Sequence, residues 1–354
     1  MKTMIANAMN ALLVISIGTA LTVSGISKGE EEEQDTQNSD DGRYCSATAK
    51  ALFRACRNEV QDDFFVAQAI CINVSDDAER AECFADARAS RRESLQLCRE
   101  QLAGRLDACE SLGEDRYDPD FDPDLFDDDF SNLSNPNPYF PLGIGNLWEY
   151  RGGTETNTVE VVNETKLIDE VTCIVVRDLV WDNGDLIEAT DDWYAQAKDG
   201  NVWYCGEEVK DYESFDGDNP RRPELVSIDG SFKAGRDGDK PGIIFQASPT
   251  AGQVYLEEFS LGNAEDATEI LSTSYEFGKD AELDRFVPEP LAKLLCSGDC
   301  VVTKNFSLLE PGVIARKYYA WGIGFFLEVN PDTGEVVQLV KCNFDSRCAA
   351  LPTP

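Results

Sequence analysis

Two periodicities divide this chain. Residues 44 to 112 show no strict alternation of apolar and polar positions; they contain no proline and a single glycine, Gly104. Alanine, arginine, glutamate and leucine dominate, and these residues favour helix. The pattern breaks once, at Ile72-Asn73-Val74-Ser75-Asp76-Asp77, where Ser75 or an aspartate can cap a second helix. From 137 to about 345 the pattern changes to short runs of Val, Ile, Tyr, Trp and Phe separated by turn residues. TVEVVNETKLI, TCIVVRDLVW, NVWYCGE, GQVYLEEFSL, VIARKYYAWGIGFFLEV and EVVQLVKC are predicted strands. Asp182-Asn183-Gly184, Lys198-Asp199-Gly200-Asn201 and Asn330-Pro331-Asp332-Thr333-Gly334 carry hairpin chemistry. The one helix expected in this half is PEPLAKLL, about 288 to 295. The fold class is therefore α+β: an antiparallel helical hairpin, then an antiparallel barrel or sandwich.

Cysteine spacing sharpens the first half. Cys45, Cys56, Cys71, Cys83, Cys98 and Cys109 are separated by 11, 15, 12, 15 and 11 residues. The sums 71+83, 56+98 and 45+109 all equal 154, so a rod folded back near residue 77 brings them together as three pairs. At 3.6 residues per turn, spacings of 11 and 15 keep each helix's cysteines within about 20° to 60° of one face. The reading is a ladder of 45–109, 56–98 and 71–83, although six cysteines allow about 15 connectivities in all. The apparent cap at 75 to 77 lies nearer Cys71 than Cys83, which demands a lopsided turn. In the second half, Cys173 and Cys205 lie in strand-like runs and can pair across strands. Cys296, Cys300, Cys342 and Cys348 can close locally or pair with each other.

The ends and the joint differ from both halves. Residues 1 to 25 read as a secretory leader, with an apolar run from about Ala11 to Val23 and cleavage after Ala20 or Gly25. No later stretch is apolar enough to cross a membrane once the leader is removed. Twelve cysteines behind such a leader point to a secreted or periplasmic protein. Residues 26 to 43 form an acidic tail, 113 to 136 an Asp-rich linker, 137 to 348 the β-domain, and 349 to 354 a short terminal tail. In the linker, Tyr117, Phe121, Phe126 and Phe130 are expected to dock on a neighbouring surface. Asp118, Asp120, Asp122, Asp124, Asp127 and Asp128 supply oxygen enough for calcium, the one cofactor the chain suggests, but not in EF-hand spacing.

Charge removes several functions. With 67 acidic residues, 31 basic ones and no histidine, the formal charge is −36. That balance opposes nucleic-acid binding and anionic membranes. The lack of histidine excludes Ser-His-Asp and Cys-His relays and His-ligated zinc. Carboxylate-only glycoside hydrolysis remains open.

NPYFPLGIGNLWEY (137–150), DDWYAQAKDGNVWYCGE (191–207), KPGIIFQASPTAGQVY (240–255) and LEPGVIARKYYAWGIGFFLEV (309–329) resemble a family of uncharacterised secreted bacterial proteins. That likeness implies export and an antiparallel β-domain behind a cysteine-rich helical segment. It assigns no catalytic or ligand residues. The expected function is an exported, non-enzymatic binding or envelope-associated interaction protein, its partner an unknown protein or an apolar small molecule. The alternatives are a carboxylate-dependent carbohydrate hydrolase and a calcium-dependent structural module.

Overall fold

A computed structural model describes residues 42–354. The leader, and the acidic tail as far as residue 41, lie outside the described residues. The chain divides after Tyr117 into a helical unit and a β unit that begins at Asp118.

The helical unit is a hairpin of α1 (Tyr44–Ile72) and α2 (Asp77–Leu112). Asp76 starts α2 by accepting hydrogen bonds from the amides of Ala78 (2.8 Å) and Glu79 (3.0 Å), and Gly113 ends it at φ 90°. Three disulfides cross between the helices: Cys45–Cys109, Cys56–Cys98 and Cys71–Cys83, with Cα separations of 5.7, 5.9 and 5.5 Å. The turn is lopsided. Cys71 sits one residue before the end of α1, whereas Cys83 lies well inside α2. Arg80 braces it by donating to the Val74 carbonyl at 2.7 Å. At the other end, Tyr44 N donates to Glu114 O at 2.8 Å and Ser46 N to the Glu114 carboxylate at 2.9 Å. Besides the cysteines, little is buried: Arg105, and Ala49, Val60, Ala87 and Ala108, small residues that let the rods approach closely enough for the sulfurs to bond.

The β unit contains β1 (Leu147–Gly152), β2 (Glu155–Ile168), β3 (Val171–Asp182), β4 (Asp185–Gln196), β5 (Val202–Glu213), β6 (Glu224–Ser227), β7 (Phe232–Lys233) and β8 (Lys240–Phe245). They are followed by β9 (Val254–Leu256), β10 (Glu258–Phe259), β11 (Asp266–Tyr275), α3 (Glu289–Leu295), β12 (Cys300–Ser307), β13 (Ile314–Ala320), β14 (Gly324–Val329) and β15 (Val336–Cys342). Neighbours run β10-β8-β5-β4-β3-β2-β1-β15-β14-β13-β12-β11-β9, and β6 and β7 pair with β5 off this path. Both ends of that path belong to one stretch of chain, because β9 and β10 are separated only by Glu257. The described residues thus form a nearly closed antiparallel barrel of 13 strands, seamed by Val254–Phe259. A sandwich is ruled out by the continuity of the ladder. Tight turns set the register: Asn183 (φ 50°) and Gly184 (φ 90°) join β3 to β4 in left-handed geometry.

Strand alternation sends one set of side chains inward and the other outward. Ile174 and Val176 of β3 join the large core with Tyr194, Tyr204, Tyr150 and Phe325. Val171, Cys173 and Val175 face the opposite side, in a smaller cluster with Trp193, Ala195, Cys205 and Phe126. Cys205 is the extra residue of a bulge opposite Trp193 and Tyr194, and its disulfide to Cys173 reaches over β4. The other two disulfides, Cys296–Cys300 and Cys342–Cys348, close locally. The Asp-rich stretch from Asp118 onward belongs to the barrel unit rather than to a free joint: Phe126 bridges to Ala197, Phe121 and Phe126 meet edge-on at 4.9 Å, and both lie against Trp203. Phe130 enters the main core. The last residues are also held, since Leu351 packs on that core and the Pro352 carbonyl accepts from Gln338 Nε2.

Two helices with so little buried surface depend on their crosslinks. Removing the middle rung (Cys56→Ser with Cys98→Ser) is expected to lower hairpin stability by about 2–4 kcal/mol. Urea unfolding followed by the helical signal at 222 nm checks this; an unchanged midpoint would show that the rung contributes nothing.

Candidate functional site

Three of the six aspartates that suggested calcium do separate local jobs. Asp118 pairs with Lys240 at 2.7 Å. Asp122 caps a short 3-10 turn through the Asp124 amide. Asp127 is buried and accepts from Ser134 N (2.8 Å) and Ser134 Oγ (2.6 Å). Asp120, Asp124 and Asp128 are exposed. Among the described residues, no three His, Cys, Asp or Glu side chains are gathered so as to hold a metal ion. The twelve cysteines are all consumed in disulfides.

A different set of acidic residues converges, inside the barrel. One part of the interior is aromatic: Phe140 meets Tyr194 edge-on at 5.0 Å, Trp148 Nε1 donates to the Ile323 carbonyl at 2.9 Å, and Tyr150 OH to the Phe325 carbonyl at 3.1 Å. A cavity of about 10 Å³ beside Phe140, Leu142 and Tyr150 has room for one water and no more. Beyond the aromatic part the inner wall becomes polar. β3 contributes Asp178, β4 contributes Glu188, Thr190 and Asp192, and β5 contributes Glu207. The seam contributes Glu257 and Glu258, β11 Asp266 and Thr268, β12 Thr303 and Asn305, and β13 Lys317.

Hydrogen bonds organise this belt. Asp178 accepts from Asn157 Nδ2 at 2.5 Å, and Asp192 from Tyr204 OH at 2.5 Å. Tyr204 in turn stacks on Tyr194 at 4.9 Å. Glu257 accepts from Thr268 Oγ1 (2.5 Å) and Asn305 Nδ2 (2.8 Å). Asp192 and Glu207 are direct register partners across β4 and β5, two carboxyl groups on one inner face. Such a pair is unfavourable when both are ionised.

Electrostatics follow from burial. Asp192 is 1% exposed and Asp178 3%. Desolvation is the main cause of every upward shift here. It lifts Asp192 to about 7, with Asp191 adding and Tyr204 opposing. Asp266 reaches about 7 by desolvation and its neighbour Glu257, and Glu328 about 7 by desolvation. Asp178, Glu207 and Glu258 are driven well above the ordinary carboxyl range by burial and then by neighbouring carboxylates, Asp192 and Glu188 at Asp178, Glu258 and Asp192 at Glu207, and Asp266 and Glu257 at Glu258. Lys317 is the cation that opposes these shifts in Asp178, Asp192, Glu257, Glu258, Asp266 and Glu328. At neutral pH the belt therefore holds protons that an unfolded chain would have released.

None of these residues was a sequence candidate. An inward carboxylate and an outward one give the same alternating pattern, so nothing in the sequence separated Asp192 from Asp191. Chemically the belt can store and exchange protons and donate hydrogen bonds through neutral carboxyl groups. No protein-family model matches this chain, and no curated protein or solved structure matches it either. Of what the resemblance to secreted bacterial proteins implied, the structure shows the architecture alone, a cysteine-rich helical region ahead of an antiparallel β-domain.

Groups that titrate near 4 when unfolded and near 7 when folded bind more protons in the folded state, so stability falls as pH rises between those values. The barrel's melting temperature, followed by tryptophan fluorescence, is expected to be at least about 5 °C lower at pH 8 than at pH 5. All five tryptophans lie between 148 and 321, so the signal reports on the β unit. Asp178→Asn removes one such ionisation and is expected to raise stability at pH 8 by about 1–3 kcal/mol. A melting temperature that rises with pH would contradict the account.

Proposed function

We propose that this is a non-enzymatic interaction protein of an oxidising compartment, in which the laddered hairpin presents the partner-binding surface. Six disulfides using every cysteine support the compartment. Among the described residues, no helix is long and apolar enough to cross a membrane. The observation that carries the reading is an apolar patch at the turn end of the hairpin. Phe65 is 60% exposed, Ile70 62% and Ile72 68%, with Val66 beside them. Helical spacing sets 65 with 72 and 66 with 70, two strips about 120° apart that together cover the side of α1 turned away from Cys71.

Three features make this patch suited to binding. Cys71, buried on the other side of α1 between Ile70 and Ile72 in sequence, ties this backbone to α2 through the Cys71–Cys83 bond, so little conformational entropy is lost on association. Asp62 and Asp63 lie one helical turn before Phe65 and Val66, which favours an apolar protein surface edged with Lys or Arg. Such patches on a rigid surface mark interaction sites more often than chance exposure does. The carboxyl groups that come together are buried within the barrel, which does not favour the hydrolase reading.

A photo-crosslinking residue placed at Phe65 in the native host is expected to give one dominant protein adduct, and the same residue at Arg92 on the shaft none. Ile72→Glu is expected to reduce the adduct at least tenfold while the far-ultraviolet spectrum is unchanged. Equal labelling from both positions would refute a tip-specific partner.

A further inference from the structure

The barrel's shortest ladder and its densest group of like charges coincide. The seam strand meets β11 through three register pairs, Ala267↔Leu256, Thr268↔Tyr255 and Glu269↔Val254. It meets β8 through two, Glu258↔Pro241 and Phe259↔Lys240. Pro241 has no N–H to donate, which weakens the β8 side further. By contrast, β4 and β5 are matched from Glu188↔Asp211 to Gln196↔Val202. The crossing is also tight. A Cβ on Gly242 would lie 2.0 Å from the Glu257 carbonyl oxygen, so the two backbones touch with no side chain between them.

Charged groups face this crossing from every side. Asp266 of β11 raises Glu258 and is itself raised by Glu257. Asp192 of β4 and Glu207 of β5 face Glu258 across the interior. Further along, Glu188 of β4 raises both Asp178 of β3 and Glu207. Lys317 of β13, itself opposite Glu328 of β14, is the cation that faces them. Tyr194 and Tyr204 supply phenols from the β4–β5 side. Three atoms in this region have no hydrogen-bond partner among the described residues: Glu207 Oε2, on a side chain 3% exposed, Tyr194 OH, on one fully buried, and Tyr255 OH, on one 7% exposed. A neutral carboxyl can both donate and accept, and so satisfies such neighbours; an ionised one can only accept.

We propose that Val254–Phe259 is a proton-controlled clasp, closing the barrel while Asp192, Glu207, Glu257 and Glu258 share protons and releasing β8 when they ionise. Repulsion between Asp192 and Glu207 is resisted by a long ladder, so those two strands stay together. Repulsion of Glu258 from the same pair is resisted by two register pairs, so the β8–β10 contact gives way first. Release opens the polar part of the interior while the rest of the wall stays intact. The proton goes to water, and no other reactant is needed.

Hydrogen–deuterium exchange on the full oxidised chain at pH 5.5 and 8.5, corrected for intrinsic chemical exchange, tests this. Peptides covering 240–245 and 254–259 are expected to lose at least tenfold protection at pH 8.5, while peptides of β2 and β3 change less than threefold. Glu258→Gln is expected to abolish most of the difference at the seam. Should that variant lose its near-ultraviolet signal at pH 5.5, Glu207→Gln takes its place, and the wild-type comparison is decisive by itself. Equal loss around all strands, unchanged protection at the seam, or a full pH difference in a folded Gln variant would each overturn the clasp.

Discussion

Neutrality of a closed interior is the constraint on which this barrel depends. Carboxyl groups from β3, β4, β5, the seam and β11 share a space whose offsetting cation is Lys317. A buried charge without a partner is costly, so the wall closes around neutral acids instead of ionised ones. The local chemistry follows from that choice. Tyr204 donates to Asp192, Asn157 to Asp178, and Thr268 and Asn305 to Glu257, each spreading whatever charge remains. Outside the barrel the same residue types behave differently. Arg177 and Asp191 pair at 2.9 Å while partly exposed, and such surface pairs are worth about 0–1 kcal/mol.

The two units solve the same problem by opposite means. The hairpin buries little and is held covalently, its rungs spaced along two rods whose apolar contacts alone would not keep them together. The barrel buries a continuous aromatic and aliphatic core, and its three disulfides are additions to a structure that already has one. Cys296–Cys300 and Cys342–Cys348 span only four and six residues and so constrain turns more than topology.

What could be read from the chain beforehand depended on how local the signal was. The hairpin was legible because rigid helical geometry turns cysteine spacing directly into pairing, and the awkward offset at 75 to 77 reappears as a turn placed close to Cys71. The strands at 158–168, 172–181 and 313–329 were legible because their apolar faces point to the core. β11 (Asp266–Tyr275) and the first half of β4 were not singled out, since Asp266 and Glu188 put acids on the inner face. Barrel and sandwich stayed open because closure rests on five seam residues whose pairing depends on distant strands. The Asp-rich stretch drew attention by its composition, whereas its aromatic residues decide where it lies.

Cys173 and Cys205 are completely buried, and Phe126 packs in the same cluster on the outer face of β3 to β5. Thiols in that position can be oxidised only while the covering stretch from Asp118 is still undocked. Once it settles, the same aromatic layer hides the sulfurs from soluble thiols. Assembly therefore has a direction: the staple is set first, and the lid laid over it makes that step hard to reverse.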